Sequence, residues 1–485
     1  AQAIFARAGH AKDWRLFMEM ERVWACHEAT FGILKFAAGS DVYRIVRVCS
    51  SAAKAMMLEG KLVLPNLTFA SFSQFATNAN KVNPSTVRAI QTRAWAKCST
   101  DWLTKEHFSR GLGLAISFFR NLHTLILKLR GFNVVAFCET MPDLKNLKVF
   151  RFTVEQLESP SDLLLARTLH DAAQEVTISG ATFNTSALAN LKKPALRKIE
   201  VSFRKLSSSL LSEWPVFQAL QDVKLHATDY ADMKGYFSKF LNRCPCVKHV
   251  SLQGFQTNPV SNAFVNEVLP IFEGFTMPTG METFYFPFAS AGMDHGPLVI
   301  HLGDMFKQSP AMRHLKLGRL DVQRSDERLK VVGLHAPLDC LSNTISSIAR
   351  GSMLHMELDV QLTDLSGSGS FFGGLLLQFP KLQTLSLKLG GHIPEAELNA
   401  WALRSKDINH GLKELALAAF DSSRFGLANN QDSFTALLNL IQSLTSLQLL
   451  QTKPPRVALR ENPFDDREIT ALLKFTHPNL QIVAK

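Results

Sequence analysis

The stretch Pro194-Ala-Leu196-Arg-Lys-Ile199-Glu-Val201 carries a proline followed by three apolar residues at a fixed spacing. Successive side chains of an extended chain point to opposite faces, so Ile199 and Val201 predict a short strand with one buried face. Proline cannot continue a preceding helix, and it favours an extended entry into the strand. The same pattern occurs at Pro142 (Leu144, Leu147, Val149), Pro245 (Val247, Val250, Leu252), Pro310 (Met312, Leu315, Leu317) and Pro380 (Leu382, Leu385, Leu387).

Apolar triplets of the same spacing, but without the proline, lie between these units. They are Leu122/Leu125/Leu127, Ala173/Val176/Ile178, Leu220/Val223/Leu225, Met281/Phe284/Phe286, Met353/Met356/Leu358, Leu412/Leu415/Leu417 and Leu444/Leu447/Leu449. Successive first positions are 22 to 41 residues apart. Helical periodicity in the intervening segments, such as 162–173, 234–242, 395–403 and 434–444, predicts helices there. A single strand-and-helix unit cannot bury its own apolar edge, so the pattern predicts stacked repeats.

This series of units, from Leu122 to the last residue, resembles the leucine-rich-repeat family, in particular its irregular, ribonuclease-inhibitor-like members. The chain departs from the family in that the Asn or Cys expected after the strand is mostly absent and the unit lengths vary. The resemblance implies an α/β solenoid that is curved, with parallel strands on the concave face and helices on the convex face. We expect these repeats over 122–485, after a linker and entry into the solenoid over 61–121. A different α/β fold with several apolar strands is the alternative.

Composition describes a folded chain with a large core. Hydrophobic residues make up 46% of the 485 positions and charged residues 20%, and no apolar run is long enough to span a membrane. The seven cysteines are odd in number and scattered, which argues against a disulfide framework and predicts a reducing compartment, the cytoplasm or the nucleus. Cys244-Pro-Cys246 has no second pair or nearby histidine cluster, so no metal is expected.

Positive charge is concentrated at the start of the chain. Residues 1–130 contain 18 Lys+Arg and 8 Asp+Glu, whereas the remaining residues contain 35 and 34. The first quarter therefore carries +10 of the net charge of +11. This asymmetry predicts an acidic partner for the N-terminal part, and the alternative is a basic, solvated face with no partner.

Residues 12–80 do not show the repeat, and we expect residues 1–60 to form a helical segment. Ser40-Asp41 offers a helix N-cap, and apolar residues then recur at helical spacing at Val42, Ile45, Val46, Cys49, Ala53 and Met56. The run Ser40-Asp-Val-Tyr-Arg-Ile-Val-Arg-Val-Cys49, preceded by an apolar patch at 31–36, resembles an F-box. Two family features are missing, because the usual Leu-Pro opening is absent and alanine stands where a tryptophan often follows the cysteine.

The F-box resemblance implies docking onto a Skp-type adaptor of a cullin ubiquitin ligase. Such adaptors are acidic, which suits the basic first quarter of the chain. The residues expected to divide between helical core and adaptor contact are Phe31, Leu34, Val42, Ile45 and Val46. The protein would then be the substrate-recognition subunit of the ligase. The alternative is a helical cap on the first repeat, in a leucine-rich-repeat scaffold or effector with no ubiquitin role.

A partner site is predicted where polar residues alternate with the buried strand positions. The basic members of this set, expected on the concave face, are Lys198, Lys224, His226, His249, His314 and Lys316. Neighbouring strands lie about 5 Å apart, so we expect these side chains to form one patch that receives an acidic or phosphorylated segment of a protein substrate. Because Glu200, Asp222 and Glu357 interrupt the positive run, a mixed polar face with no ligand is the alternative.

No motif indicates bond chemistry. The sequence has no P-loop, no Gly-x-Gly-x-x-Gly after a strand and no His-Glu-x-x-His or Gly-x-Ser-x-Gly, so we expect no enzyme, no catalytic residue and no cofactor. A GTPase-activating leucine-rich-repeat protein is a second alternative, in which Arg120 or Arg130 would be supplied to a bound GTPase. Nucleic acid is not expected as a partner, since aromatic and basic residues are not interleaved in any run.

Overall fold

In the computed structural model of the chain, the parts described are 57–58, 61–62, 66–97, 105–141, 144–157, 171–181, 193–207, 212, 214–231, 236–253, 276–286, 296–336, 338–362, 371–390, 395–407, 411–419, 439–452 and 481–483. The F-box-like run lies outside the described residues. The same holds for the predicted adaptor contacts Phe31, Leu34, Val42, Ile45 and Val46.

The strands, in chain order, are β1 (Met57–Leu58), β2 (Lys61–Leu62), β3 (Asn66–Ser71), β4 (Ala89–Lys97), β5 (Thr124–Arg130), β6 (Val149–Leu157), β7 (Glu175–Ala181), β8 (Lys198–Ser207), β9 (Asp222–Ala231), β10 (His249–Gln253), β11 (Thr283–Phe286), β12 (His314–Leu317), β13 (Leu320–Arg324), β14 (Arg328–Ala336), β15 (His355–Leu362), β16 (Thr384–Gly390), β17 (Glu414–Ala419), β18 (Leu449–Thr452) and β19 (Gln481–Val483). The α-helices are α1 (Phe72–Lys81), α2 (Lys105–Ser117), α3 (Val134–Thr140), α4 (Tyr236–Asn242), α5 (Gly296–Gln308), α6 (Leu338–Ile348), α7 (Phe371–Gln378) and α8 (Glu395–Asp407).

The described residues fall into two compact units, one within Ala1–Lys205 and Glu213–His226, the other within Leu206–Ser212 and Ala227–Lys485. Both are α/β arrays of the leucine-rich-repeat type, with mostly parallel strands, as the repeat predicted. The helices predicted over 234–242 and 395–403 are confirmed as α4 and as part of α8. No helix among the described residues combines the length and apolar character that crossing a membrane requires.

In the first unit, β3 to β8 pair in parallel and in chain order. The apolar positions stand in register: Leu125 faces Phe150, Phe150 faces Val176, and Val176 faces Ile199, and all four are fully buried. This row is the core that successive units share. The parallel array already includes β3 and β4, which lie in the segment predicted as linker and entry.

Two repeat frames were predicted three residues too early. At Pro142 the triplet was Leu144, Leu147 and Val149, but the pair buried along β6 is Phe150 and Phe152. The triplet at Leu444 is displaced in the same way, since Leu450 is the residue that pairs with Leu415. In both places an additional apolar residue precedes the frame, so the spacing alone fitted two registers.

A cluster of aromatic rings fills the space between the strands and helices of the first unit. Phe137, on α3, stacks on Phe152 of β6 with ring centroids 5.8 Å apart, and Phe132 lies 5.3 Å from Phe137. Asn133 caps α3, because its side-chain oxygen accepts a hydrogen bond from the Ala136 amide at 3.0 Å. The large rings bury much apolar area per residue and so anchor the helix side of the array.

The second unit contains an interruption that was not predicted. β10 to β12 are parallel and β14 to β19 are parallel, but β13 runs antiparallel to both β12 and β14. The turn between β12 and β13 uses Gly318, whose φ of 59° is the left-handed conformation that glycine adopts without steric cost. Along the chain, β13 thus stands between β12 and β14, where the neighbouring repeats have a helix, α5 or α6.

Candidate protein-interaction face

The side chains that alternate with the buried strand positions form the candidate site. In the first unit Thr177, Glu200 and Ser202 are half-exposed on this face, and in the second unit Tyr285 and Lys316 are. Parallel register places equivalent positions of neighbouring strands side by side, as for Thr283 and His314, or Glu357 and Ser386. The face is therefore a grid of polar side chains, in which each strand contributes one row.

In the first unit the predicted cations Lys224 and His226 share one carboxylate. Glu200 accepts from Lys224 Nζ at 2.9 Å and lies 3.3 Å from His226 Nε2. Burial tends to raise the pKa of Glu200, but the hydrogen bonds and charges of Lys224 and His226 outweigh it, so the pKa lies below its ordinary value. The cluster thus stabilises the fold above the ordinary glutamate pKa, and this contribution is lost as the pH falls through the lowered value. Lys198 has no ion-pair partner among the described residues.

In the second unit the remaining predicted cations also have partners. His249 Nδ1 lies 2.9 Å from the Thr283 hydroxyl. Asp321 lies 3.0 Å from His314 Nε2 and 3.9 Å from Lys316 Nζ. The Lys316 ammonium also sits 5.4 Å from the centre of the Tyr285 ring, within cation–π range.

Further ion pairs cross between neighbouring strands of the second unit. Lys330 pairs with Glu357 at 2.8 Å, and Lys388 pairs with Asp359 at 3.0 Å. These pairs balance the charge of the face locally. An acidic ligand at Lys224 or Lys316 would therefore have to displace a carboxylate that already pairs with the lysine.

Asp321 is the side chain of the polar face that was not predicted from the sequence. It lies on β13, and its side chain is only 22% exposed, between His314 and Lys316. The signal that could have located it is the alternation over Leu320–Arg324, whose apolar Leu320 and Val322 are fully buried. Reading this stretch as a strand would have placed Asp321 on the polar face.

The arginines and cysteines considered for GTPase activation or metal binding do not belong to these ion-pair clusters. Arg120 lies in the turn after α2 and Arg130 ends β5, both exposed. Cys138 and Cys244 are buried and Cys246 is exposed. Burial, followed by the charge of Glu139, raises the pKa of the Cys138 thiol to about 12, which keeps it protonated and unreactive. Among the described residues, no group of three or more His, Cys, Asp or Glu side chains is placed to hold a metal ion.

No protein-family model matches the chain, and no curated protein matches it in sequence. Similar solved structures include a protein of Bacteroides fragilis, with 12% identity over 70% of this chain and 83% of that chain and a TM-score of 0.29. The mouse RP105/MD-1 complex is similar over 83% of this chain and 72% of that chain, with 12% identity and a TM-score of 0.32. The yeast Rad7 and Elc1 complex is similar over 100% and 97%, with 12% identity and a TM-score of 0.29. At this identity the likenesses concern the fold alone.

Proposed function

We propose that the protein is a protein-interaction scaffold that binds its partners along the exposed strand faces of its leucine-rich-repeat-type units. The observation that carries this proposal is the grid itself: partly exposed side chains of successive parallel strands stand in register over a fully buried apolar row. Each strand of such a face contributes side chains that can contact a partner, and neighbouring strands are about 4.8 Å apart. This spacing suits contact with an extended polypeptide or with the surface of a folded protein.

Photo-crosslinking from the strand face tests this proposal. We expect p-benzoylphenylalanine at Thr177 or at Ser386, both half-exposed on strands, to crosslink to a partner protein in cells. The same amino acid at Lys307, which is exposed on helix α5, serves as the matched control and should give no such product. Equal crosslinking of one partner from Lys307 and from the strand positions would contradict binding through the strand face.

A finer function is proposed from the F-box-like run Ser40–Cys49. The protein would be the substrate-recognition subunit of a cullin ubiquitin ligase in the cytoplasm or nucleus, with residues 1–60 bound to a Skp-type adaptor. Its support is the sequence pattern together with the position of that pattern before the repeat array. The partner held on the strand faces would then be the ubiquitination substrate.

Co-purification with a Skp-type adaptor tests the finer function. We expect the full chain to retain the adaptor, and a version lacking residues 1–60 to lose it. The substitution Ile45→Asp in the full chain should also abolish retention, because it places a charge at an apolar position of the predicted adaptor-binding helix, whereas Arg44→Ala, at a neighbouring position outside the apolar stripe, should weaken retention less. A full chain that retains no adaptor would leave the scaffold without a ubiquitin role.

A further inference from the structure

The residues that immediately precede the strands of the first unit form a row along one edge. The His123 amide donates to the Arg88 carbonyl at 2.7 Å, and the Lys148 amide donates to the His123 carbonyl at 2.8 Å. Two further bonds continue the row, from Gln174 to Lys148 and from Arg197 to Gln174, at 2.8 Å each. Because the backbone bonds fix these residues strand by strand, their side chains are held about 4.8 Å apart along the edge.

The turns beside this row are tied together as well. The side-chain amide of Asn121 donates to the Ser85 carbonyl at 2.8 Å, and that of Asn146 donates to the Arg120 carbonyl at 3.2 Å. These bonds hold Arg120 and Lys145, which neighbour the two asparagines in sequence, beside the row. We define the basic edge as Arg88, Arg120, His123, Lys145 and Lys148. All five are exposed except His123, which is half-exposed.

The surroundings of the basic edge are short of acid. Residues 66–157 contain 12 Lys+Arg and 5 Asp+Glu, which gives a net charge of +7. Two of these carboxylates, Glu106 and Glu139, both bind Arg110, at 3.1 Å and 2.9 Å, and are engaged there. Among the described residues, no member of the basic edge has a carboxylate within ion-pair distance. The polar faces of β8 and β9 and of the second unit, by contrast, balance most of their cations with a carboxylate.

The ionisation of His123 agrees with this local excess of positive charge. Burial lowers the pKa of His123, and the charges of Arg88 and Lys148 lower it further. The histidine thus lies between two cations on adjacent strands with no described carboxylate to offset them. An anionic group placed on this row would offset the charges of Arg88 and Lys148.

Two exposed apolar side chains precede Arg120 of the basic edge in the chain. Leu114, in the last turn of α2, and Phe118, just after the end of α2, are 55% and 69% exposed, and Phe118 stands two residues before Arg120. Exposed apolar side chains of this size, next to an unbalanced charged row, are typical of a binding site, in which the apolar group is covered by the ligand.

We infer that the basic edge, together with Phe118, binds an acidic polypeptide segment of a partner protein that contains an apolar residue. Carboxylates of the segment would accept hydrogen bonds from Arg88, Lys148 and the neighbouring turn cations, and its apolar residue would cover Phe118. A nucleic acid fits less well, because base stacking needs several aromatic platforms and Phe118 is the one exposed Phe, Tyr or Trp side chain among those whose exposure the structure describes in 66–157. The inference deepens the proposed scaffold function by naming the chemistry of one partner segment.

The test measures the binding of three fluorescein-labelled probes to the full chain. The probes are a peptide of ten glutamates around one phenylalanine, the same peptide with glutamines, and a 20-nucleotide oligo-dT. We expect the glutamate peptide to bind most tightly and its affinity to fall with added salt. The double variant Arg88→Glu/Lys148→Glu should weaken binding of the glutamate peptide by about tenfold or more, because two attractive contacts become repulsive. Phe118→Ser should weaken it by about threefold through loss of apolar contact.

The matched control is Lys381→Glu/Lys413→Glu, which makes the same change in net charge at two exposed lysines of the second unit. This control should leave the affinity within about threefold of the original. Equal losses in the two double variants, or equal binding of the glutamate and glutamine peptides, would overturn the inference, and so would tighter binding of oligo-dT than of the glutamate peptide. Circular dichroism checks that each variant is folded, and Arg88→Gln/Lys148→Gln repeats the test if the reversal unfolds the chain. Failure here leaves the crosslinking from Thr177 and Ser386 unaffected, so it is distinguishable from failure of the proposed function.

Discussion

Replacing Arg324 by methionine should lower the free energy of unfolding by about 3–5 kcal/mol, because this buried side chain holds three backbone carbonyls in two other segments of the chain. Arg324 is 8% exposed, and its guanidinium donates to three backbone carbonyls: Met312 at 3.1 Å, Ile348 at 3.0 Å and Pro310 at 2.8 Å. The charge also lies over the Phe306 ring at 4.7 Å. We refer to the antiparallel strands β12, β13 and β14 as the hairpin. Arg324 thus joins the hairpin to the end of helix α6 and to the turn before β12.

Methionine would fill most of the volume of Arg324 but would leave the Met312 and Ile348 carbonyls buried without this donor, at about 1–3 kcal/mol each, offset in part by removal of a buried charge. The Pro310 carbonyl would keep its hydrogen bond from Arg350. Burial, followed by the charge of Arg350, lowers the pKa of Arg324 to about 10, so the guanidinium remains charged at neutral pH and its hydrogen bonds are charge-assisted. The bond to Ile348 also places a cation at the C-terminus of α6, where the helix dipole favours it.

Urea unfolding followed by circular dichroism measures the effect, and hydrogen exchange assigns it to the second unit. Arg350→Ala is the matched control, because Arg350 also donates to the Pro310 carbonyl, at 2.9 Å, but its side chain is 43% exposed. The control should lose no more than about 1 kcal/mol. If the two variants were equally stable, Arg324 would not be the residue that secures the hairpin.

The repeat spacing predicted the strands because burial imposes a strict alternation on them. Every apolar pair from Ile199/Val201 to Leu385/Leu387 that the pattern marked is buried. It failed at Pro142, where Leu144 and Leu147 are both buried and the motif therefore fits two registers three residues apart. Only pairing with the neighbouring strand, Leu125 to Phe150, distinguishes them, and pairing is a property of the stacked array.

The sequence contained a signal for β13, but the leucine-rich-repeat pattern predicts only one strand per unit and so did not identify it. The interval from Met312 to Met353 is the longest in the series, 41 residues, and this extra length accommodates β13. The expectation of one strand per unit left no place for a second. Because Asp321 lies on that strand, the same oversight hid the carboxylate that binds His314 and Lys316.

The polar face was predictable residue by residue, but its charge balance was not. Alternation determines which side chains leave the core, so Lys224 and Lys316 were correctly placed on the partly exposed face. Their partners come from the adjacent strand or, for Lys316, from across a turn, and the distance between side chains depends on register. The same reasoning explains the basic edge, which becomes visible only when the backbone ladder brings Arg88, His123 and Lys148 together.

Replacing Gly333 by alanine should lower the free energy of unfolding by about 2–4 kcal/mol. Gly333 lies in β14 where the register to β15 shifts, between Val332 and Leu334, and its φ is +73°. The left-handed conformation alone disfavours an alanine by about 1–2 kcal/mol. In addition, a Cβ there would lie 2.4 Å from the carbonyl oxygen of Arg319, a backbone atom that cannot move without disturbing the turn between β12 and β13.

Gly351→Ala provides the matched control, because a Cβ at Gly351 would meet no atom within 4 Å and its φ lies outside the left-handed region. We expect this variant to change the unfolding free energy by less than about 0.5 kcal/mol, measured by the same urea titration. β14 pairs antiparallel with β13 through the residues just before the bulge at Gly333, and it pairs parallel with β15 on both sides of the bulge. Strain at this residue should therefore expose the amides of β13 and β14 to hydrogen exchange before those of β16 and β17. Protection lost evenly over all four strands would show instead that the hairpin and the parallel array unfold as one.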